Sequence, residues 1–270
     1  WSMSNEEWDG FDLAPRMYKM AKEIDPTRLV IDSDGVWATT LNKKTRDTLD
    51  YLTGQFPEWD MIGFNDGKYD LPDPKPDKPV IVHEMSNFGT LPDLSQIELF
   101  GEGIRPWWLY KARDLVDKGG LRDVYPHWVA NSMKLQALAL KCNIEAARRS
   151  QGIMGYDQWL LQDYWNGSNG VLDMFYRQKG STASEFRKYN SPTVLLMDCA
   201  RRNYWCGETA KLTLSASRYE DEPSDNAIFH WELRAGKKVL ESGSKDHVRV
   251  GSNGLQELAV LSLKMPSVDK

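Results

Sequence analysis

Residues 78–84 read Lys78-Pro79-Val80-Ile81-Val82-His83-Glu84, a short apolar run that ends in a carboxylate. A continuous apolar run of this length is typical of a strand buried on both faces of a parallel sheet. A second run, Trp1-Ser2-Met3-Ser4-Asn5-Glu6, reads as the end of another strand and also ends in glutamate. A side chain at the C-terminal end of a strand points into the mouth of a sheet or barrel, so Glu6 and Glu84 are the first candidate site residues.

Short apolar strands alternate with helical patterns through the first 165 residues or so. We predict strands at 1–6, 29–31, 59–64, 80–83 and 153–161. We predict helices at 13–24, 39–52, 107–118 and 128–149. This alternation predicts an α/β protein with a parallel sheet. With polar residues at the strand ends, it has the polarity of a (β/α)8 TIM barrel represented by its strands 4–8.

A barrel without its first three strands would have two open apolar edges. The chain also begins inside a predicted strand, without an initiator methionine or a signal peptide. We therefore expect it to be a fragment, which by itself aggregates or needs a partner and is inactive.

The character of the sequence changes near Ser191-Pro192, where alternating apolar and polar runs begin. The runs lie at 211–216, 227–233 and 258–263, with turn residues between them. Alternation with regular turns is typical of a β-sandwich. The predicted organisation is therefore a partial TIM barrel in residues 1–190 and an Ig-like β-sandwich in residues 191–270.

The composition limits the class of protein. A hydrophobic share of 41% and a charged share of 27% predict a soluble globular protein. The formal net charge is −5 and no long basic run occurs, which argues against a nucleic-acid partner or an anionic membrane. No apolar stretch approaches the length of a membrane span.

The aromatic residues and the cysteines leave alternatives open. The chain has eleven Trp and eleven Tyr, whose faces can stack on sugars or simply fill a core and its rim. Of the three cysteines, Cys142 lies in a helical pattern and is expected to be a buried thiol. Cys199 and Cys206 can pair or stay free, and no Cys/His pattern indicates a zinc site.

Two carboxylates on strands of one barrel suit a glycosidase, which needs a carboxylic acid and a carboxylate facing one sugar. The alternatives are ordinary ones. Glu6 can cap the next helix, and Glu84 can form a surface ion pair at the rim. His83 precedes Glu84 on the strand, so the pleat predicts that it faces the other side and does not contact Glu84. Asp32 and Asp34, after the second strand, can hold hydroxyls or form a solvated turn.

Four segments together resemble glycoside hydrolase family 2, the β-galactosidase, β-mannosidase and β-glucuronidase group. Ser4-Asn5-Glu6 resembles the family's Gly-Asn-Glu motif at the end of barrel strand 4. Residues 24–30 resemble its Asp-Pro-Thr-Arg-Pro segment, and residues 78–84 resemble its strand 7. Residues 155–159 resemble its strand 8. The separation of the two glutamates also fits the family.

The resemblance implies a retaining hydrolase of a terminal β-linked sugar, with Glu6 as acid/base and Glu84 as nucleophile. Neither chemical step needs a cofactor. Some relatives can bind an ion, but no ligand cluster in this sequence demands a metal. The resemblance favours a periplasmic or secreted protein. The substrate-binding candidates are Asn5 (for the 2-hydroxyl), Asn65, Tyr69, His83 and Trp159 (as a stacking platform).

Two departures from the family pattern matter. Ser4 replaces the usual glycine, and Met85 replaces an aromatic residue after the nucleophile. The second change puts the substrate preference in doubt, and a non-catalytic carbohydrate-binding protein derived from the family is the alternative.

Overall fold

The computed structural model describes residues 1–6, 13–35, 48–54, 77–165 and 167–267. The described residues form two compact units. The first unit holds those up to 143 and the segment 152–183, and the second holds 144–151 and the residues from 184 onward. The predicted domain boundary near residue 190 stays a prediction. The predicted strand at 59–64 lies outside the described residues, as do Asn65 and Tyr69.

A parallel sheet organises the first unit. Its strands are β1 (Leu52–Gly54), β2 (Val80–Met85) and β3 (Ile153–Gln158), in the order β1-β2-β3. Both neighbouring pairs are parallel. Val80 and Val82 are almost fully buried, as the apolar run predicts. Strand β2 is therefore the central strand of this sheet and carries Glu84 near its C-terminal end.

Residues 1–6 and 29–34 form a second parallel pair. Ser2 bridges Ile31 and Asn5 bridges Asp34, and the Met3 N–H donates to the Ile31 carbonyl at 3.0 Å. Ile31 also joins a buried cluster with Leu49, Tyr51, Leu52 and Val80. The two segments therefore run side by side, as predicted. Among the described residues the sheet does not close, and the complete barrel stays a prediction.

One helix prediction is wrong at its C-terminal end. The helix predicted over 39–52 included Leu52, but this residue lies in β1 and pairs with Val80. Tyr51, Leu52 and Thr53 are aromatic, apolar and β-branched in turn, a combination that favours a strand when it can be buried. All three are buried here.

The first helix lies where the sequence predicts it. Helix α1 (Leu13–Ile24) ends before Asp25, whose carboxylate accepts the Thr27 N–H at 3.0 Å. Several apolar residues of this helix are exposed, among them Leu13, Met20 and Ile24. The helix is fixed instead by the face that carries Tyr18 and Lys22, which both bond to the Asp50 carboxylate.

Two longer helices follow β2 in the chain. A 3₁₀ helix (Leu94–Leu99) leads to α2 (Trp107–Lys118), which ends at a Gly-Gly pair. Gly120 has φ +65°, a conformation that glycine adopts without strain. Helix α3 (Tyr125–Arg149) begins three residues before its predicted start at Trp128. Its first turns pack on α2 through Val116, Tyr125 and Val129.

The second unit contains two antiparallel sheets. After a short helix, α4 (Ala183–Arg187), come β4 (Thr193–Cys199), β5 (Thr209–Arg218), β6 (Ser224–Ala235), β7 (Lys238–Val250) and β8 (Gly254–Lys264). The described strands pair as β4-β5-β8 and β6-β7. Apolar residues of both sheets share one core: Ala216, Phe229, Val248, Val250 and Leu258. The Ig-like topology stays a prediction.

The end of α3 belongs to this second unit. Arg148 is buried, donates to the carbonyls of Ser191 and Ser217, and lies over the Tyr219 ring at 4.7 Å. Arg149 donates to the Met197 carbonyl at 2.9 Å. The two guanidinium groups satisfy carbonyls of the sheet and so anchor residues 144–149 to it.

None of the three cysteines, all of which lie in described segments, forms a disulfide. Cys142 is buried, as predicted, whereas Cys199 is half-buried and Cys206 is exposed. None of the helices in the described part of the chain has the length and apolarity to cross a bilayer.

Candidate functional site

The two candidate glutamates share an uncommon backbone conformation. Glu6 has φ +55° and Glu84 has φ +46°, so both lie in the left-handed region. Few non-glycine residues adopt this conformation, and such strained residues cluster at functional sites. The Glu6 N–H donates to the Asp34 carbonyl at 2.7 Å, which fixes the backbone of Glu6 against the neighbouring segment.

A β-bulge orients Glu84. Val82 pairs with Tyr156 and Met85 pairs with Gln158, so His83 and Glu84 together oppose the single residue Asp157. Bulges of this kind re-aim side chains and are frequent beside active sites. The prediction that His83 faces away from Glu84 is therefore wrong. With the pleat interrupted, His83 Nε2 lies 3.3 Å from Glu84 Oε1.

The fold brings Glu6 and Glu84 together. One carboxylate oxygen of each, together with a ring nitrogen of His83, lie within 4.8 Å of one another. Glu6 is exposed and Glu84 is half-buried, so the pair opens to solvent on the Glu6 side. Two carboxylates at this separation can face the same reacting atom.

Asp34 holds the other side of the His83 ring. The distance from His83 Nδ1 to Asp34 Oδ1 is 3.2 Å, and both side chains are buried. Burial opposes ionisation of Asp34, but hydrogen bonding and the charge of His83 outweigh it and lower the pKa of Asp34. Burial likewise disfavours the imidazolium, but Asp34, Glu84 and Asp157 outweigh it and raise the pKa of His83.

Of the two alternatives for Asp32 and Asp34, the solvated turn is wrong. Both carboxylates are buried, at 6% and 9% exposure. Asp32 accepts hydrogen bonds from the Ser33 N–H at 2.6 Å and from Thr48 Oγ1 at 2.8 Å. Asp32 therefore shapes the loop, whereas Asp34 belongs to the site.

Asp157 is a site residue that the sequence reasoning missed. Its carboxylate lies within 4.8 Å of ligand atoms of Asp34 and His83, although its side chain is exposed. Partial desolvation and the charge of Asp34 raise the pKa of Asp157. Its position in the sequence could have identified it. Asp157 lies two residues before the predicted site residue Trp159, and alternate residues of a strand share a face.

The ligand atoms of the same side chains lie close enough together to bind one cation. Two such groups occur among the described residues, Glu6 with His83 and Glu84, and Asp34 with His83 and Asp157. The closeness of Glu6 and Glu84 is also what a catalytic carboxylate pair requires. The distances between these side chains therefore suit both a cation and a catalytic pair, and they do not assign a metal to this site.

Asn5 and Trp159 make backbone contacts next to the two glutamates. Asn5 is exposed and bridges Asp34, directly before Glu6. Trp159 follows β3, and its backbone N–H donates to the carbonyl of Met85, the residue after Glu84, at 3.0 Å. Its ring contacts Tyr164 edge-on, with centroids 6.5 Å apart. The substrate roles of Asn5, His83 and Trp159 stay predictions.

A buried ion pair shapes the loop after β3. Lys179 Nζ lies 2.9 Å from Asp163 Oδ1 and donates to the Ser168 and Gly170 carbonyls, each at 3.0 Å. The Gly170 N–H donates to the same Asp163 carboxylate at 2.7 Å. Because these partners of the ammonium all lie in this loop, Lys179 holds the chain that follows Trp159 in one conformation.

A row of aromatic rings extends across the first unit. Phe175 contacts Phe100, Phe100 contacts Trp108, and Trp107 lies between Trp108 and Trp165, with neighbouring centroids 5.0–6.1 Å apart. Trp107 and Trp165 are more than half exposed. Such rings offer apolar faces of the size of a sugar ring.

A cavity of about 920 Å³ lies elsewhere, between the 3₁₀ helix, α2 and α3. Its walls mix apolar and charged side chains of both signs, among them Val116, Tyr125, Arg113 and Asp114. None of the site carboxylates lines it. The cavity is therefore separate from the cluster around Glu6 and Glu84.

Gly35 lies where the site leaves no room for a side chain. It has φ +83°, and a Cβ atom there would lie 2.7 Å from His83 Nε2 and 3.0 Å from Glu6 Cγ. We expect Gly35→Ala to destabilise the protein by about 1–3 kcal/mol, through backbone strain and overpacking. Chemical denaturation would measure the loss. Gly103→Ala is the matched control because no atom lies within 4 Å of its Cβ position. Equal unfolding free energies for the two variants would contradict the described geometry.

The N-terminal part of the chain matches a known protein family. Residues 1–98 match the family model for glycosyl hydrolases family 2, TIM barrel domain. The first 98 of the 270 residues are therefore similar to the TIM barrel domain of this family. The matched segment contains Glu6, Asp34, His83 and Glu84.

Two solved structures are similar to the chain. A β-D-mannosidase from Dictyoglomus thermophilum has 19% sequence identity and a TM-score of 0.34, over 54% of this chain and 17% of its own. A protein assigned as a β-galactosidase from Bacteroides fragilis has 13% sequence identity and a TM-score of 0.32. This match covers 98% of the present chain and 40% of the Bacteroides protein. The chain thus spans less than half of either protein, and at these TM-scores the likenesses carry no argument. No curated protein matches the chain.

Proposed function

We propose that this chain carries the catalytic pair of a retaining glycoside hydrolase that cleaves a terminal β-linked sugar. The observation that carries the proposal is the approach of the Glu6 and Glu84 carboxylates to within 4.8 Å. Retaining enzymes keep their two carboxyl groups about 5–5.5 Å apart, whereas inverting enzymes leave a wider gap for water.

The two carboxylates would have different roles. Glu84 is half-buried and lies beside His83, an environment that favours a carboxylate ready to attack the anomeric carbon. Glu6 is exposed, so it can exchange protons with solvent. It would protonate the leaving oxygen and then, as a base, activate the water that releases the glycosyl-enzyme.

The charge around the pair supports the same chemistry. Among the described residues, the carboxylates of Glu6, Asp34, Glu84 and Asp157 surround the single His83 ring. Glycoside cleavage passes through an oxocarbenium-like transition state, whose positive charge an excess of carboxylates stabilises. These negative charges stabilise a neutral ligand less than they stabilise the positively charged transition state.

Further parts of the proposal come from the family resemblance. Asn5 would hold the 2-hydroxyl, Trp159 would stack beneath the sugar, and Asn65 and Tyr69 would contribute contacts from their segment. The described parallel strands would belong to barrel strands 4–8, and residues 191–270 would form an accessory Ig-like β-sandwich.

The test is hydrolysis of a panel of aryl β-glycosides by the longest natural polypeptide that contains these residues. We expect turnover of at least one β-glycoside, with the β-anomer as the first product seen by ¹H NMR. Release of the α-anomer first would mean inversion and would exclude Glu84 as a covalent nucleophile.

A carbohydrate-binding protein without catalysis is the second candidate, favoured by the exposed rings of Trp107 and Trp165. Binding of oligosaccharides, measured by calorimetry, together with no turnover on any member of the panel would support it. Hydrolysis of any β-glycoside that depends on Glu84 would exclude it.

A further inference from the structure

We propose that His83 is a positioning residue for Glu84, fixed by Asp34 through one ring nitrogen and presenting the other to the Glu84 carboxylate. The proposal rests on the proposed role of Glu84 as the nucleophile. It gives His83 a function without requiring it to touch the sugar, in contrast to the substrate contact predicted from the sequence.

The His83 ring is held in one orientation. Its Nδ1 lies 3.2 Å from Asp34 Oδ1, and the whole residue is only 7% exposed. The backbone of Gly35 lies against the Nε2 edge of the ring, so closely that even a Cβ atom would lie 2.7 Å from it. A histidine restrained by a carboxylate on one nitrogen presents the other in a defined direction.

The free side of the ring is aimed at Glu84. His83 Nε2 is buried, and among the described residues no atom makes a well-aligned hydrogen bond with it. Glu84 Oε1 lies 3.3 Å away, which is within ion-pair distance. Hydrogen bonds of catalytic groups are often long or poorly aligned without substrate and tighten when it binds. A short shift of the Glu84 carboxylate would complete this one.

The charges around His83 make the contact electrostatic as well as geometric. Glu6, Asp34 and Asp157 approach the ring from three neighbouring segments, and Glu84 approaches it from the strand of His83 itself. The carboxylates of Asp34, Glu84 and Asp157 outweigh the effect of burial and raise the pKa of His83. The stabilisation from the charged ring is therefore complete below the ordinary histidine pKa and is lost as the pH rises through the folded-state value. While it is charged, the ring favours the ionised form of Glu84.

Kinetics of His83→Gln test the proposal first. We expect kcat on an aryl β-glycoside to fall roughly 10- to 100-fold, the range for a lost hydrogen bond to a charged group. We also expect the acidic limb of kcat/KM to move to higher pH, since neutral glutamine no longer favours the ionised carboxylate. A loss of activity with an unchanged pH profile would overturn the proposal, because a purely structural residue behaves in that way.

His230→Gln is the matched control. His230 also lies 3.3 Å from a glutamate, Glu232, but its side chain is exposed on strand β6 of the second unit. We expect neither kcat nor the pH profile to change in this variant. An equal shift of the acidic limb in both variants would show that the effect is not specific to Glu84.

An NMR titration tests the contact without requiring activity. In ¹³C-histidine-labelled protein, the His83 signal is assigned by its absence in His83→Gln. We expect Glu84→Gln to lower the pKa of His83, because the ring loses a neighbouring negative charge. An unchanged His83 titration would overturn the proposal. A lowered pKa in a protein that hydrolyses no glycoside would leave the contact standing and refute the proposed hydrolase function instead.

Discussion

Glu84→Ala is expected to reduce kcat on aryl β-glycosides by on the order of 10⁴- to 10⁶-fold, the range seen when one residue of a catalytic group is removed. The reason is geometric. The bulge at His83 and Glu84 places this carboxylate next to Glu6, and no other described side chain holds the same position. Steady-state kinetics in the longest natural polypeptide that contains these residues would measure the loss.

Azide separates a lost nucleophile from a damaged fold. In Glu84→Ala the deleted side chain leaves space beside the anomeric carbon, which a small anion can fill. We expect added azide to restore turnover and to yield a glycosyl azide of inverted configuration, because a single displacement replaces two. Glu102→Ala, an exposed glutamate in the same unit, should retain full activity. A retained configuration in the azide product would contradict the nucleophile assignment.

The sequence predicted the strands of the site because their signals are local. Residues 80–82 form an apolar run in which Val80 and Val82 are almost fully buried, and Glu84 near the end of β2 marks the edge of the sheet. Residues 1–6 and 29–34 also pair as expected, although only the second segment is buried, at Val30 and Ile31. Burial on two faces leaves a segment such as 80–82 few alternatives to a parallel sheet.

The orientation of Glu84 could not be predicted because it depends on a distant strand. The bulge arises from the register of β2 against β3, which lies about seventy residues further along the chain. A regular pleat, the only assumption available from sequence, places His83 and Glu84 on opposite faces. The structure places them 3.3 Å apart.

The burial of Asp34 escaped prediction for a related reason. An Asp-Ser-Asp-Gly sequence reads as a solvated turn, and only the tertiary contact with His83 shows otherwise. Strand β7 was missed because its apolar positions are few and most of its residues are exposed. Local patterns identify elements with a buried face, whereas polar contacts between segments appear only when the chain is folded.

Glu6→Ala is expected to lower kcat/KM by roughly 10²- to 10⁴-fold on substrates with poor leaving groups, the usual contribution of general acid catalysis. Dinitrophenyl β-glycosides leave without protonation, so their first step should be nearly unaffected in this variant. Their release from the enzyme should become slow, because Glu6 no longer activates water. The expected signature is a burst of dinitrophenolate followed by slow turnover, measured by stopped-flow absorbance.

Azide should act on Glu6→Ala at this second step. It attacks the glycosyl-enzyme without a general base, so turnover of the dinitrophenyl substrate should recover and the product should be a glycosyl azide of retained configuration. Retention here and inversion in Glu84→Ala would follow from the positions of the two carboxylates on either side of the scissile bond. If the two variants gave the opposite pair of configurations, Glu6 would be the nucleophile and Glu84 the acid/base. The contact between His83 and Glu84 would then control the protonation of the acid instead of the ionisation of the nucleophile.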